Sequence, residues 1–298
     1  MPTSRTVTKG LAWAFLGVFL FSLSLPMTAW ALQGFSPLFT ATARAVIAAA
    51  LALVLLRIRR VPWPDRSLLR PLLYTMAGAV FGWPILIALA LQRTTTAHAA
   101  VIAAIMPLVT AVLAVLRTRE HVPSRFWIAS CLGTIALMVF AITRGGLSGA
   151  DLVADVLVLL AVVSSSWCYV EGASLTRVMP GWQVISWVVV LALPLTVPLT
   201  IILWFTTQGS YVITTQAWIG LAAIGLSSMY LGFFAWYRGL RDAGVARGSQ
   251  MQQLQAPLTL GWSVLLLGEV VSIWTLLSTL AIVACVGWAQ SIRFARSG

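Results

Sequence analysis

Residues 248–290 read "GSQMQQLQAPLTLGWSVLLLGEVVSIWTLLSTLAIVACVGWAQ", and they follow the same plan as residues 98–140, "HAAVIAAIMPLVTAVLAVLRTREHVPSRFWIASCLGTIALMVF". Pro107 and Pro257 lie at equivalent places in the two stretches, 150 positions apart. In each copy the proline-containing apolar segment ends near a glutamate and a second apolar segment follows. This internal repeat predicts that the chain is built from two similar halves.

The composition identifies the solvent of these segments. Of 298 residues 60% are hydrophobic and 9% are charged, and the mean hydropathy is +0.96. A soluble protein carries roughly a quarter charged residues, so much of this chain faces lipid. A membrane-spanning helix needs about 20 mostly apolar residues. By that measure the sequence predicts ten transmembrane helices, at about 10–32, 36–57, 69–91, 96–116, 124–143, 153–175, 182–206, 215–237, 246–267 and 271–292.

The connections between these helices are short, which leaves no room for a soluble domain. We expect one all-α polytopic membrane domain over residues 1–298, with repeat 1 at about 10–143 and repeat 2 at about 153–292. Five helices per half is an odd number, so the second half enters the membrane inverted relative to the first. Inverted repeats are the architecture of many secondary transporters, because two pseudo-symmetric halves exchange conformations to give alternating access.

Basic residues set the orientation. With the amino terminus in the cytoplasm, two arginines lie outside, Arg93 and Arg144, and Arg44 lies within a helix. The remaining lysine and arginines are cytoplasmic, at positions 5, 9, 57, 59, 60, 66, 70, 117, 119, 125, 177, 238, 241, 247, 293 and 296. Positive charge in short loops stays on the cytoplasmic side. The net charge of +12 therefore predicts topology, with both termini inside, rather than a nucleic-acid partner.

The start of the chain has a second interpretation. Residues 5–32, "RTVTKGLAWAFLGVFLFSLSLPMTAWAL", have a basic beginning, an apolar run and small residues at Ala29 and Ala31. This pattern is also that of a cleavable signal peptide. Cleavage would leave nine helices and break the repeat, so the repeat favours a retained first helix.

The proline, glutamate and glycine pattern of each half, together with Arg44 in "ATARAVIAAALALVLLRIRR", resembles the drug/metabolite transporter superfamily, EamA type. Within it the chain is most similar to bacterial inner-membrane exporters of aromatic amino acids. The resemblance implies ten helices, a central cavity lined by helices 1–4 and 6–9, and export of amino acids or related metabolites. The first copy departs from the pattern, since "RTREHV" stands where the family has a Gly-Glu pair.

Four side-chain amides precede Pro257: Gln250, Gln252, Gln253 and Gln255. Residues three apart share a helix face, so they form two pairs that point in different directions. Amides in lipid are unfavourable, and a neutral amide both donates and accepts hydrogen bonds, which suits a zwitterion. We expect Gln253 and Gln255 to bind substrate; the alternative is that the amides reach headgroups or neighbouring helices.

Other polar and aromatic residues lie deep in the predicted helices. Arg44 either binds a substrate carboxylate or pairs with backbone carbonyls. Deep aromatic rings stack on flat ligands or hold an ammonium, whereas those near helix ends anchor the protein at the interface. The remaining substrate-binding candidates are therefore Trp83, Ser164, Trp167 and Tyr230.

In the sequence, no Asp or Glu lies near the middle of any predicted helix. Proton-driven antiporters commonly use such a carboxylate, so its absence favours facilitated export. The candidates left for proton coupling are His98, which has an alternative as a capping group, and Glu171. Pro107 and Pro257 interrupt equivalent helices and are predicted hinges, with packing kinks as the alternative.

The sequence argues against the other classes of function. No paired carboxylates, nucleophile and base, or HExxH pattern indicates an enzyme, and the three cysteines form no CxxC or Cys/His cluster. We expect neither cofactor nor metal. A fixed channel has no need of two interchanging halves. The interpretation is an inner-membrane exporter of small amino acids or related zwitterions, with an exporter of other metabolites or drugs, coupled to protons, as the alternative. The sequence leaves the oligomeric state unknown.

Overall fold

The structure is a computed structural model of the whole chain, and it describes residues 4–90, 93–94, 99, 102–118, 122–143, 151–207, 211–267 and 273–292. Within these ranges every regular element is a helix. The α-helices are α1 Ser4–Ser22, α2 Ser24–Ala31, α3 Pro37–Ile58, α4 Arg66–Met76, α5 Trp83–Ala90, α6 Met106–Thr118, α7 Ser124–Thr143, α8 Leu152–Leu175, α9 Gly181–Thr207, α10 Thr215–Leu226, α11 Gly232–Ala243, α12 Val245–Ser249, α13 Gln255–Leu267 and α14 Ile273–Ser291.

Six helical stretches of the described chain are long and apolar enough to cross a membrane. They are Thr6–Thr28, Pro37–Ile58, Ser124–Ile142, Leu152–Leu175, Gly181–Thr207 and Thr215–Ala243. Met106–Arg117 and Leu276–Ser291 are shorter apolar helices. The expected all-α polytopic membrane fold is thus confirmed. The count of ten crossings and the inversion of the second half remain predictions.

The helices pack in pairs that are distant in sequence. The most extensive contact is between α1 and α11. Helix α8 packs along the continuous stretch formed by α4, a π-helical segment and α5, and α3 packs along α9. Helices α7 and α14 form another pair, and α6 contacts α12. Each of these pairs joins a helix from the first half of the sequence to one from the second.

Glycines allow α1 and α11 to approach closely. A Cβ atom built on Gly239 would lie 2.4 Å from the backbone nitrogen of Ala14, and one built on Gly10 would lie 2.6 Å from the nitrogen of Ala243. Gly17 faces the backbone of Trp236 in the same way, at 2.9 Å. Small residues of this kind let helix backbones pack closely in membranes, where dispersion contacts replace the hydrophobic effect.

Two π-helical segments interrupt the α-helices. The first is Ala77–Gly82, between α4 and α5, and the second is Ser227–Leu231, between α10 and α11. They begin 150 positions apart, which is the separation of Pro107 and Pro257. Single π-helical turns inside α-helices occur often at functional sites, since the widened turn shifts the side chains that follow.

The backbone also departs from α-helix before each repeated proline. Residues 104–105 form a turn ahead of Pro107 in α6, and Gln250–Leu254 form a 3-10 helix ahead of Pro257 in α13. Proline has no N–H to donate and its ring collides with the carbonyl four residues earlier. The equivalent prolines therefore lie beside equivalent interruptions of the α-helix.

Candidate functional site

Buried polar side chains meet where α3, α8 and the two irregular segments Ser227–Leu231 and Gln250–Leu254 converge. The group comprises Arg44, Tyr169, Ser228 and Gln252, which we call the central polar cluster. Each of these residues comes from a different element, and the cluster lies inside the protein. We take it as the candidate substrate site.

Arg44 is held on one side of the cluster by hydroxyl groups. Its Nη2 atom donates to Ser228 Oγ at 3.0 Å, and Ser228 Oγ lies 3.3 Å from Ser24 Oγ. The Nε atom of Arg44 is buried and has no hydrogen-bond partner. Arg44 as a whole residue is partly accessible. A guanidinium carries five N–H donors, so this arginine has donors to spare.

Gln252 and Tyr169 form the other side of the cluster. Gln252 Nε2 lies 3.3 Å from both Tyr169 Oη and Met106 Sδ. Gln252 is 8% exposed, and its Oε1 atom has no hydrogen-bond partner. The Tyr169 ring packs edgewise on Trp236, with ring centres 5.4 Å apart, and Tyr169 is within electrostatic range of Arg44. Tyr169 is therefore the residue that connects Gln252, by a hydrogen bond, with Arg44, by electrostatic interaction.

Gln250 and Gln253 bind each other instead. Gln253 Nε2 donates to Gln250 Oε1 at 2.8 Å, and both side chains are buried. Residues i and i+3 eclipse in a 3-10 helix, which is why these two amides stack. Gln253 fits against α7 at Gly133, where an added Cβ would lie 2.0 Å from Gln253 Oε1. Gln255, at the start of α13, is partly accessible.

The other predicted substrate-binding residues lie apart from the central polar cluster. Trp167 is 36% exposed, on the face of α8 that also exposes Val163. Ser164 packs against Gly82 of the first π-helical segment. Tyr230 is buried, with its hydroxyl 2.8 Å from Ser186 Oγ. Trp83 is partly buried against the core. Of the predicted set, only Arg44 belongs to the central polar cluster.

The residues predicted for proton coupling have separate outcomes. His98 lies outside the described residues. Glu171 is buried, and its carboxylate accepts a 2.8 Å hydrogen bond from Nε of Arg117, which is half exposed at the end of α6. The pair joins α8 to α6. In this conformation the ion pair is a structural tie between the two helices.

A second ion pair lies at the opposite end of α8. Nε and Nη2 of Arg93 donate to the two carboxylate oxygens of Asp151, each at 3.1 Å. Asp151 also caps α8, accepting from the backbone N–H of Ala154 at 2.9 Å. The Arg93 guanidinium, followed by this N–H, lowers the pKa of the Asp151 carboxyl below its ordinary value. Helix α8 is thus tied to its neighbours at both ends.

The described residues offer little metal-binding chemistry. Across them no three His, Cys, Asp or Glu side chains come together as a group that could hold an ion. Cys131, Cys168 and Cys285 are free cysteines in three different helices.

Sequence reasoning missed Tyr169, Ser228 and Gln252. Tyr169 is two residues from Trp167, which places them on opposite faces of an α-helix turning about 100° per residue. The signal for Tyr169 was present in the run "SSSWCYVEG", but α8 is apolar around most of its circumference. The sequence alone therefore does not distinguish its lipid-facing side from its inner side.

Comparison with known proteins identifies the family. The EamA-like transporter family matches the chain twice, over residues 8–142 and residues 152–289. The chain therefore belongs to the EamA-like transporter family, which confirms the resemblance to the drug/metabolite transporter superfamily. It is a multi-pass membrane protein of a transporter family.

Two further similarities cover nearly the whole chain. The chain is 42% identical over 290 residues to the uncharacterized transporter YdeK of Bacillus subtilis (strain 168), covering 97% of this chain and 99% of that protein. It also shares the fold of a protein of known crystal structure, with a TM-score of 0.78 and 18% identity over 94% of this chain and 97% of that one.

Proposed function

We propose that this transporter exports amino acids, aromatic and other neutral ones among them, or closely related zwitterionic metabolites across the bacterial inner membrane. Substrate binds in a central cavity and is exposed alternately to the two sides. The observation that carries the proposal is the central polar cluster, in which a cationic donor and a neutral acceptor without hydrogen-bond partners lie inside a helical protein whose buried residues are mostly apolar. Buried polar groups in membrane proteins mark substrate pathways.

The proposed architecture is ten crossings in two inverted halves, residues 10–143 and 153–292, with both termini in the cytoplasm. Three observations support it. The family matches each half separately. The π-helical segments begin 150 positions apart, as the repeated prolines do. The helix contacts are also symmetric between the halves. If each helix is replaced by its counterpart in the other half, the contact of α1 with α11 becomes the contact of α8 with α4–α5, and the contact of α3 with α9 is unchanged.

The proposed cycle is a rocking of the two halves around the central polar cluster. Pro107 and Pro257 lie in α6 and α13 beside interrupted backbone. Met106 of α6 contacts Gln252 of the cluster, and Gln252 belongs to the 3-10 segment that leads into α13. The two ion pairs at the ends of α8 are suited to closing opposite sides, because each connects elements from different halves. Opening toward one side then separates one pair and retains the other.

The described side chains around the cluster favour substrate movement by exchange or facilitated diffusion over proton coupling. Glu171, two residues from Tyr169 on α8, is paired with Arg117, and the cluster itself contains no carboxylate among the described side chains. Proton-driven antiport commonly relies on an intramembrane carboxylate that alternately binds and releases a proton. We therefore expect transport to follow the substrate gradient.

Solute counterflow into proteoliposomes tests the substrate class. Vesicles containing the purified protein are loaded with unlabelled phenylalanine, tryptophan, threonine or a cationic dye, and uptake of the labelled compound is followed with and without a pH gradient. We expect transient accumulation of amino acids that is indifferent to the gradient. Accumulation of the dye alone would contradict the amino-acid assignment, and dependence on the gradient would contradict facilitated exchange.

A further inference from the structure

We infer that Arg44 and Gln252 recognise the two charged ends of an α-amino acid, with Tyr169 beside Gln252. The carboxylate is bound by the guanidinium of Arg44 and the ammonium by the side-chain carbonyl of Gln252. This assignment rests on the proposed function and deepens it. It keeps the predicted Arg44 and moves the rest of substrate recognition from Gln253 and Trp167 to Gln252, which was not among the predicted binding residues.

Arg44 presents donors of the kind that bind a carboxylate. Its Nη2 is bound to a neutral hydroxyl, its Nε is buried without a partner, and no described Asp or Glu forms an ion pair with it. A buried charge without a partner is unfavourable, and an arriving anion relieves it. In this cluster a substrate carboxylate is the anion that fits.

The same protein shows how that edge of a guanidinium binds a carboxylate. In the Arg93–Asp151 pair, Nε and Nη2 donate to the two oxygens at 3.1 Å each. On Arg44 these two atoms are the spare donor and the donor bound to Ser228. Because Nη2 carries two N–H groups, it binds a carboxylate oxygen and Ser228 at the same time.

Gln252 supplies the complementary acceptor. Its Nε2 is engaged with Tyr169 and Met106, so its Oε1 is the end that remains for a ligand. A carbonyl oxygen binds an ammonium without adding a negative charge that would neutralise Arg44. The two spare groups together select a molecule that carries both charges over an amine or an acid that carries one.

Gln253 Oε1 is likewise buried without a hydrogen-bond partner, but the surroundings of Gln250 and Gln253 differ from those of Gln252. They are bound to each other, and the Gln253 carbonyl fits against Gly133 on α7. This arrangement fills the space between the 3-10 segment and α7 and leaves no room for a ligand at Gly133. We assign this pair to packing.

The test is competition for labelled phenylalanine exchange by three compounds: phenylalanine, phenylalaninamide, which lacks the carboxylate, and phenylpropionate, which lacks the ammonium. For the native chain we expect both analogues to compete at least about tenfold more weakly than phenylalanine, since hydrogen bonds to charged groups are among the stronger ones. In Arg44→Gln, phenylalanine should compete for exchange no better than phenylalaninamide does. In Gln252→Leu, phenylalanine should compete for exchange no better than phenylpropionate does.

Conservative variants separate recognition from folding. Arg44→Lys keeps the charge and loses the planar fork, so phenylalanine should retain part of its advantage over the amide. Gln252→Glu keeps an acceptor and should preserve the preference over phenylpropionate. Arg177→Gln and Gln216→Leu, at exposed positions, serve as matched controls with native competition.

Each outcome has one meaning. Loss of the predicted discrimination in the Arg44 and Gln252 variants, with the native ranking kept in the controls, supports the assignment. Native ranking in Arg44→Gln and Gln252→Leu overturns it while the amino-acid function stands. Absence of any amino-acid exchange by the native protein overturns the proposed function, and this assignment with it.

Discussion

The four glutamines before Pro257 show how residues of one type acquire different roles. In a 3-10 segment, Gln250 and Gln253 eclipse and bind each other, while Gln252 points toward Tyr169. Their grouping into pairs three residues apart follows from the sequence. Which of them faces the interior depends on the neighbouring helices, and the 3-10 turn changes the angle per residue from that of an α-helix.

The Asp151–Arg93 pair predicts a dependence of stability on acid. The pKa of Asp151 is lowered in the folded protein, chiefly by Arg93, from an unfolded value of about 3.9. Its contribution to the free energy of unfolding is therefore complete above that pH and is lost as the pH falls through the lower, folded value. Between pH 5 and pH 3 the melting temperature of Asp151→Asn should fall less than that of the native protein.

Thermal melting of the purified protein in detergent, followed by tryptophan fluorescence over this pH range, measures the effect. Arg93→Gln is the matched control, because it removes the same interaction from the other side and should flatten the profile similarly. Parallel profiles for the native protein and Asp151→Asn would show that this ion pair does not contribute to stability.

At the scale of elements, the contact between α1 and α11 depends on glycine. In Gly239→Ala the added Cβ would lie within 2.6 Å of backbone atoms of Ala14, so the two helices must separate. Overpacking of this kind typically costs about 1–3 kcal/mol. We expect a lower melting temperature and a smaller yield of folded protein by size-exclusion chromatography.

Gly287→Ala on α14 is the control for this substitution, since its Cβ would meet nothing within 4 Å. Alanine is more favourable than glycine inside a helix by about 0.5–1 kcal/mol, so the control should keep or raise the melting temperature. Equal melting of the two variants would contradict the close-packed contact between α1 and α11.

The proline in α13 allows a prediction about motion. Pro257→Ala restores a backbone N–H that can bond to the carbonyl of Gln253 and extend the α-helix through the 3-10 segment. We expect the maximal rate of substrate exchange to fall several-fold while the half-saturating concentration stays near the native value. Steady-state exchange in proteoliposomes separates these two quantities.

Pro198 provides the comparison, because it lies inside α9, which remains α-helical from Gly181 to Thr207. Pro198→Ala should exchange substrate at the native rate. If Pro257→Ala does so as well, Pro257 is a packing kink and not a hinge.

Much of each helix could be predicted because hydropathy and length determine membrane spans. The expected spans 36–57, 153–175 and 182–206 correspond to α3, α8 and α9 within one residue at each end. The π-helical segments could not be predicted. "AGAVFG" and "SSMYL" share no side-chain pattern, and a π turn forms when the packing of two helices favours an extra residue.

For the whole molecule, the presence of two family-related halves was visible in the sequence, whereas most of the candidate site was not. A repeated proline and a family match to each half report the same duplication. The site depends on contacts among α3, α8 and the irregular segments, which are far apart in sequence. Arg44 was identified because it is a charge within an apolar run. Tyr169 could not be predicted from the sequence, because it differs from Trp167 in burial and both are aromatic residues.

The central claim is that one site faces the two sides of the membrane alternately. The most direct measurement is efflux of labelled phenylalanine from proteoliposomes into buffer with and without unlabelled phenylalanine outside. Alternating access predicts faster efflux when substrate is present on the opposite side. The reason is that return of the empty carrier limits efflux, and external substrate lets the carrier return loaded. Efflux that is unchanged by external substrate, and that does not saturate with internal substrate, would contradict alternating access and indicate a channel.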